Sequence, residues 1–565
     1  MRRVFIAIAA GIALADASIV TLGLPSIRID LGASINEVAA VLGVYTLVLA
    51  IALLGAAPLA RAWGGARVAA VGGAVFGLSS LACGLVDSVP PLLVLRGVEA
   101  VGAAGVLVGG FTLLDGGHPG PGRRLWFAAS IFGAAVGPAL GGALTEAFDW
   151  RAIFLVQVPL IAPAVVIAAQ TALAEVPAHD GNGAFPPAPP TADEPVSRLS
   201  LRPALALALL SAALTAVIFL VVLLLVAGWS IDPLAAAAAV SVLPVAAAIS
   251  SRVRGNPETR AAAGCVLVAG GIACLALLPG DAAWLTIPPQ ILAGAGMGLA
   301  LPALAGELLP ERSGTDVARV LAIRHLGIVL ALVVLAPVVT AQLDDTVFTA
   351  QEEGTAAVLD AKLAPEEKIK LAPELFGDVN TDDPRGQLQS SVEDARGSLD
   401  DADDRAELDS LADKLDDVIT GAVRDAFRIA FIITAGFALA AALMMLWGAL
   451  APGAWVARRA VAGAAVAALA AGAVYAVAYS GSERERIAIE DPCTADRDLP
   501  DTGGITGALQ DFALSRLDDA ACELGSSREE LFLALFDDDA KQRFEDKYGK
   551  DPRSLLTLGP AIFGL

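Results

Sequence analysis

Residues 4–25 read VFIAIAAGIALADASIVTLGLP, and this stretch decides the fold. It is about twenty apolar residues long, which is the length of an α-helix that crosses a bilayer, yet it contains one carboxylate, Asp16. The rest of the chain is similar, since 56% of its 565 residues are hydrophobic and only 17% are charged. Apolar runs must satisfy their own backbone hydrogen bonds in lipid. The sequence therefore predicts an all-α membrane protein.

Hydropathy predicts thirteen membrane helices, which lie at 4–25, 37–59, 67–87, 90–112, 125–145, 152–173, 203–227, 234–250, 261–279, 284–307, 317–341, 425–449 and 457–478. Basic residues in short loops favour the cytoplasmic side, and here they fall on alternate connections, beginning with Arg2 and Arg3 and ending with Arg458 and Arg459. We therefore expect a multi-pass protein of the cell membrane. Its N-terminus would be cytoplasmic and its C-terminus extracytoplasmic.

This count divides the chain into six parts. They are an N-terminal six-helix bundle at 1–173, a cytoplasmic Pro/Gly-rich linker at 174–202, a C-terminal six-helix bundle at 203–341 and 425–450, an insertion at 342–424, an extra transmembrane helix at 457–478 and a C-terminal domain at 480–565.

The net charge of −22 belongs to two of these parts. Residues 342–424 carry 22 acidic and 8 basic side chains, and residues 480–565 carry 19 and 10. Both segments would be extracytoplasmic and could bind a protein partner there. Nucleic acid is not an expected partner, because like charges repel.

Apolar residues in the insertion recur every three or four positions, which predicts amphipathic helices. The two runs are Leu388, Val392, Ala395, Leu399 and then Leu408, Leu411, Leu415, Val418. Two arrangements remain open, a small packed helical cap and one long solvated helix that leads into the next span.

Cys493 and Cys522 are the two cysteines of the C-terminal segment, and they can form a disulfide if that segment faces an oxidising compartment. The other three cysteines lie in apolar helices. The chain offers no catalytic constellation and no spaced set of metal ligands, so we expect neither an enzyme nor a metal site.

Four stretches resemble the major facilitator superfamily, specifically its drug:proton antiporter branch, over residues 1 to about 450. The stretches are ADASIVTLGLPSI at 15–27, LLVLRGVEAVGAAG at 92–105, GAAVGPALGG at 133–142 and DWRAIFLVQVPL at 149–160. The third matches the antiporter motif of the family at each defining position, namely Gly133, Gly137, Pro138, Gly141 and Gly142. Glycines four apart let a neighbouring backbone approach closely and Pro138 permits a bend, although ordinary close packing also uses such glycines.

The resemblance implies two six-helix bundles around a cavity that opens alternately to each side. It also implies a secondary transporter that exports a small amphipathic or hydrophobic compound in exchange for protons, without a cofactor. The alternative is a receptor or scaffold of the cell envelope, which derives from a transporter and acts through the acidic segments.

Asp16 is the first candidate for proton coupling, because an acid in mid-membrane costs about 3 kcal/mol and usually marks a transport path. At 1.5 Å per residue, Arg96 lies within about 5 Å of the same depth and can pair with it. Glu99 can compete for Arg96 or carry the proton itself, and the family more often has Gln there. A fixed ion pair without a proton cycle is the other interpretation. His325 is a further candidate relay, or else a satisfied core histidine.

The cytoplasmic stretch GAAPLARAWGGAR at 55–67 departs from the family pattern. Arg61 stands where the resemblance leads one to expect an acid that helps to hold the two halves together. We therefore expect the gating arrangement on the cytoplasmic side to differ from the usual one of the family.

Overall fold

A computed structural model describes residues 1–115, 122, 125–126, 129, 137, 140–174, 200–307, 314–363, 384–398, 402–449, 455–482, 487–495 and 504–553. Within these ranges every regular element is a helix. The chain is thus all-α over its described parts.

The first helices form the N-terminal half of the membrane region. They are α1 Arg2–Leu31, α2 Ile35–Trp63, α3 Gly65–Cys83, α4 Val89–Asp115, α5 140–147, α6 Arg151–Leu155 and α7 Gln157–Ala174. Local sequence explains the sharp turn after α1, where Gly32 adopts a left-handed φ of 59°. Ser34 and Glu37 then form a reciprocal capping box that starts α2.

Five further helices and parts of two longer helices complete the membrane region. The whole helices are α8 Leu201–Leu223, α9 Pro233–Ser250, α10 Pro257–Leu275, α11 Ile287–Pro302 and α15 Trp455–Gly481. The parts are the first part of α12 Gly314–Asp360 and the second part of α14 Ala402–Ala449. Between α12 and α14 the chain forms α13 Pro384–Ser398. We call α8–α11, residues 314–340 and residues 428–449 the C-terminal half.

Twelve described helices are long and apolar enough to cross a membrane. They include every predicted span except 125–145, which lies mostly outside the described residues. The thirteen-span count therefore stays a prediction.

Two helices are much longer than the apolar segments predicted for them. The spans at 317–341 and 425–449 are parts of α12 and α14, which have 47 and 48 residues. The added stretches, 342–360 and 402–424, contain no proline and are rich in Ala, Leu, Asp and Glu. Because nothing in them forces a break, helix continues beyond the apolar part.

The chain forms two compact units. The membrane unit comprises residues 1–226, 231–340 and 428–480, and the acidic unit comprises 227–230, 341–427 and 481–565. The two acidic segments that the sequence analysis treated separately thus belong to one unit.

The acidic unit contains a shared apolar core. Leu388, Leu408, Leu411 and Leu415 from the insertion pack with Leu533 and Ala540 of the C-terminal segment. The latter lie on α17 Arg528–Phe536 and α18 Asp538–Tyr548, which follow α16 Gly504–Leu524. The long helix and the packed cap are both present, since α14 is continuous and its apolar stripe is buried.

A disulfide joins Cys493 to Cys522, with their Cα atoms 5.0 Å apart. It links the loop before α16 to the C-terminal part of that helix. The other three cysteines are free and buried in the membrane unit.

Candidate functional site

The candidate site is a group of charged side chains on α1 and α4. Asp16, Arg96 and Glu99 are each 0% exposed. Arg96 Nη2 lies 2.6 Å from Asp16 Oδ2, and Arg96 Nη1 lies 2.6 Å from Glu99 Oε2. One guanidinium therefore bridges two carboxylates, and we call these three residues the charge cluster.

Polar and aromatic side chains from three other helices enclose the charge cluster. Gln157 at the start of α7 donates from Nε2 to Asp16 Oδ1 at 2.9 Å. The Tyr45 ring of α2 lies under the guanidinium, with its centroid 4.1 Å from Arg96 Cζ. Cys83 Sγ of α3 lies 3.8 Å from Glu99 Oε2. The cluster is thus held by five helices.

The cluster carries more acid than base. If both carboxyl groups are ionised, two negative charges face one positive charge in a dry environment. Gln157 Oε1 is a buried acceptor that has no hydrogen-bond partner within the described ranges. An uncompensated buried charge is costly, and a proton on one carboxyl group removes it. The charge cluster is therefore the candidate site for proton coupling.

Glycines of α5 allow close packing beside this cluster. A Cβ at Gly137 would overlap Ser18 Oγ, and a Cβ at Gly141 would overlap the carbonyl oxygen of Ile19. Both partners lie on α1, within one turn of Asp16. Gly133 and Pro138 lie outside the described residues, so the bend predicted at Pro138 stays a prediction.

Gly142 faces the C-terminal half instead. A Cβ there would lie 2.5 Å from Ala237 Cβ and 2.9 Å from the carbonyl oxygen of Pro233, both at the start of α9. The glycine motif therefore joins α5 to α1 on one side and to α9 on the other.

The family model described as Major Facilitator Superfamily matches residues 6–332, which is more than half of the chain. The chain belongs to this superfamily. The predicted family and all-α membrane fold are confirmed. Membership of a transporter superfamily also confirms that the protein is not an enzyme.

Curated relatives match a shorter stretch. The multidrug resistance protein Stp of Mycobacterium tuberculosis is 34% identical over 150 residues, which cover 26% of this chain and 28% of Stp. The cephamycin export protein CmcT of Amycolatopsis lactamdurans is 38% identical over 160 residues, or 27% of this chain and 33% of CmcT. The chain thus spans about a third or less of the length of these relatives.

Among solved structures, a bacterial homolog of the human lysosomal transporter Spinster matches with a TM-score of 0.49 and 15% identity. The match covers 80% of this chain and 98% of that one.

Arg61 has a specific partner in this member of the superfamily. Its Nη1 donates a 3.0 Å hydrogen bond to Thr315 Oγ1 at the start of α12. Arg61 thus ties α2 of the N-terminal half to the C-terminal half, although it is a base where an acid was expected.

His325 is not among the described side chains that contact the charge cluster. It lies on α12, is 2% exposed, and places Nδ1 2.7 Å from the carbonyl oxygen of Leu321. This contact is the one expected of a core histidine whose ring nitrogen has a hydrogen-bond partner. The role of His325 as a proton relay stays a prediction.

The residues that contact the charge cluster and that sequence analysis missed include Tyr45, Cys83 and Gln157. Gln157 had a detectable signal, because it is an amide within the apolar run of DWRAIFLVQVPL. Tyr45 and Cys83 had none, since both residue types are ordinary in membrane helices. Only the packing of α2 and α3 on α4 makes them neighbours of Arg96 and Glu99.

Proposed function

We propose that this protein is a secondary active transporter that exports a small amphipathic or hydrophobic compound in exchange for protons. Membership of the superfamily supports transport, and the drug resistance and antibiotic export in the names of Stp and CmcT support efflux. The observation that carries the proton coupling is the charge cluster, with two buried carboxyl groups on one guanidinium.

In this proposal the cluster exchanges a proton when one side of the transporter opens. While the cluster is dry, one carboxyl group holds a proton, because the second negative charge is not compensated. Once water reaches Asp16 or Glu99, the charged form is solvated and the proton leaves. Arg96 stays charged throughout and holds both carboxyl groups in place. Gln157 keeps Asp16 oriented.

Alternating access requires that contacts between the halves break in turn. On the predicted outer side, Gly142 of α5 packs against Pro233 and Ala237 of α9. On the predicted inner side, Arg61 donates a hydrogen bond to Thr315. On the same side, Ala318 and Leu321 of α12 share one apolar core with residues of α1, α2 and α4. Opening to one side would separate one of these contact sets and leave the other intact.

Proteoliposomes test the proposed function. Vesicles loaded at acidic pH and diluted into alkaline buffer should accumulate substrate as protons leave, and a panel of fluorescent cationic, neutral and anionic amphiphiles supplies the probes. Asp16→Asn should reduce accumulation to the level of empty vesicles. Asp87→Asn is the matched control, because the Asp87 side chain is 88% exposed and pairs with Arg151, not with a member of the charge cluster. Gradient-driven accumulation that survives in Asp16→Asn would refute the role of Asp16.

The receptor or scaffold alternative gains no support from the relatives, whose names describe resistance and export. A protein partner of the acidic unit remains a proposal, as does its extracytoplasmic location. A cysteine at the exposed position Asp539 tests that location. In intact cells it should react with a membrane-impermeant maleimide, whereas labelling only after permeabilisation would reverse the topology.

A further inference from the structure

Arg324 is a cation of the membrane unit that lies outside the charge cluster. Arg324 is on α12, within its apolar segment 317–341. The buried residues of this segment repeat with helical periodicity and include Val317, Leu321, Ile328, Ala331 and Leu335. Arg324 lies at one edge of this buried face, three residues after Leu321 and four before Ile328.

The opposite face of the segment carries exposed apolar side chains, namely Leu326, Leu330 and Val333. Those side chains suit lipid. The partly buried Arg324 is therefore directed into the protein and away from the bilayer.

The buried face of α12 looks toward the N-terminal half. Val317, Ala318 and Leu321 share one apolar core with Leu53 and Ala57 of α2. Arg324 is the next position on this face, one turn deeper. It lies ten residues after the start of α12 at Gly314, which is about 15 Å along the helix.

No acidic side chain among the described residues forms an ion pair with Arg324. The carboxyl groups of Asp16 and Glu99 already contact Arg96. The nearby carbonyl oxygen of Leu321 is in contact with His325 Nδ1. A guanidinium is always charged, and one without a counter-ion in mid-membrane costs about 3 kcal/mol. An anion from outside the chain would offset that cost.

We propose that Arg324 binds the anionic headgroup of the exported compound. The substrate class is then an amphipathic anion, such as a fatty carboxylate or an alkyl phosphate. A guanidinium binds carboxylate and phosphate through two parallel hydrogen bonds, and the surrounding apolar side chains suit the hydrocarbon part. This assignment rests on the proposed function, because it names the substrate of that transporter.

The charges of the two halves also differ in a way that fits this role. The N-terminal half holds an excess of buried carboxyl groups, which suits protons. The C-terminal half holds Arg324 within the apolar segment of α12, which suits an anion. Separate sites would let a proton and an anionic substrate bind without competing for one group.

A binding measurement on the purified full-length protein in phosphatidylcholine nanodiscs tests the assignment. The probes are a dansyl-labelled undecanoic acid, its methyl ester and the matching amine, with empty nanodiscs as background. The carboxylate probe should bind at least about tenfold more tightly than the ester or the amine, as expected for a charge-assisted hydrogen bond. Dodecyl phosphate should displace it.

Arg324→Gln should remove this selectivity and weaken binding of the carboxylate probe by about tenfold or more. Arg324→Lys keeps the charge and should retain the preference for carboxylate, so it serves if the first variant does not fold. Arg319→Gln is the matched control on the same helix, where Arg319 faces Asp316 at 3.9 Å. Its binding should equal that of the wild type.

Equal binding of the three probes, no binding of the carboxylate, or unchanged binding in a folded Arg324→Gln would each overturn the assignment. The nanodisc measurement needs no pH gradient. Selective, Arg324-dependent binding without any gradient-driven uptake in proteoliposomes would therefore refute the proposed function and leave the anion site in place.

Discussion

Two buried arginines in this protein each lie between two carboxyl groups, one pair in each unit. In the membrane unit, Arg96 contacts Asp16 and Glu99, both at 2.6 Å. In the acidic unit, Arg528 contacts Asp360 and Glu529, both at 2.8 Å. Arg96 and Arg528 are each 0% exposed.

The two groups differ in their access to water. Both carboxyl groups beside Arg96 are fully buried, whereas the Asp360 side chain is 56% exposed. Solvent can stabilise the second negative charge at Arg528, so that group needs no proton to be satisfied. Solvent does not reach either carboxyl group beside Arg96, so it cannot stabilise a second negative charge there. The same three residue types therefore make a structural link in one unit and a candidate proton site in the other.

The variant with the largest expected effect disrupts the charge cluster in the membrane unit. Arg96→Gln removes the charge that holds Asp16 and Glu99, so both carboxyl groups should stay protonated and unable to cycle. Gradient-driven accumulation in proteoliposomes should fall to the level of empty vesicles. The control is Arg528→Gln, whose accumulation should remain close to that of the wild type. Equal loss in both variants would remove the functional difference between the two arginines.

The variant with the next largest expected effect disrupts the corresponding group around Arg528 in the acidic unit. Arg528→Gln leaves the buried Glu529 without its cation, which should destabilise the acidic unit by about 3–5 kcal/mol. This destabilisation should appear as faster amide hydrogen exchange in α16–α18 of the full-length protein. Exchange in α1–α4 should not change. Unaltered exchange in α17 would show that Glu529 does not depend on Arg528.

Sequence predicts the membrane part of this comparison well and the acidic part less well. Apolar runs located the described spans, because lipid admits few alternatives to helix. Helical rise predicted that Arg96 can reach Asp16, because it places the two side chains at similar depth.

The group at Arg528 could not be predicted, because Asp360 and Arg528 are 168 residues apart. No periodicity relates two segments that meet only after folding. The continuation of α12 to Asp360 was missed for a similar reason, since hydropathy marks the end of the apolar part and not the end of the helix. The Arg61–Thr315 bond likewise depends on how the two halves approach each other.

The disulfide gives a third measurement, which sharpens the comparison by perturbing the acidic unit alone. The bond between Cys493 and Cys522 closes a loop with a sequence separation of 29, so its loss should cost about 3.5 kcal/mol by loop entropy. The double variant Cys493→Ser/Cys522→Ser should show faster exchange in α16, with α1–α4 unchanged. Protection of α16 equal to that of the wild type would contradict a stabilising role.

The smallest effect concerns Glu352 of the acidic unit, which lies beyond the apolar segment of α12. Burial and, to a smaller extent, the charge of Glu530 raise the pKa of Glu352 to about 7, although the Lys547 charge lowers it. The folded protein then binds this proton more tightly than the unfolded chain does. Its contribution to stability should therefore fall as the pH rises from about 4.5 to about 7.

Glu352→Gln should remove that dependence and slow exchange in α18 at pH 7.5 relative to the wild type. Exchange rates corrected for the intrinsic effect of pH, measured at pH 5 and pH 7.5, provide the check. Faster exchange in the variant at pH 7.5 would show that the ionised form of Glu352 stabilises the unit.

The central claim is that the charge cluster carries the proton that substrate movement releases or takes up. Proton release on substrate binding, recorded with a pH indicator in weakly buffered solutions of the purified protein, tests this claim most directly. Wild-type protein should change the pH when substrate is added, Asp87→Asn should do the same, and the double variant Asp16→Asn/Glu99→Gln should bind substrate without any change. An equal pH change in the double variant would place the proton elsewhere and contradict the account.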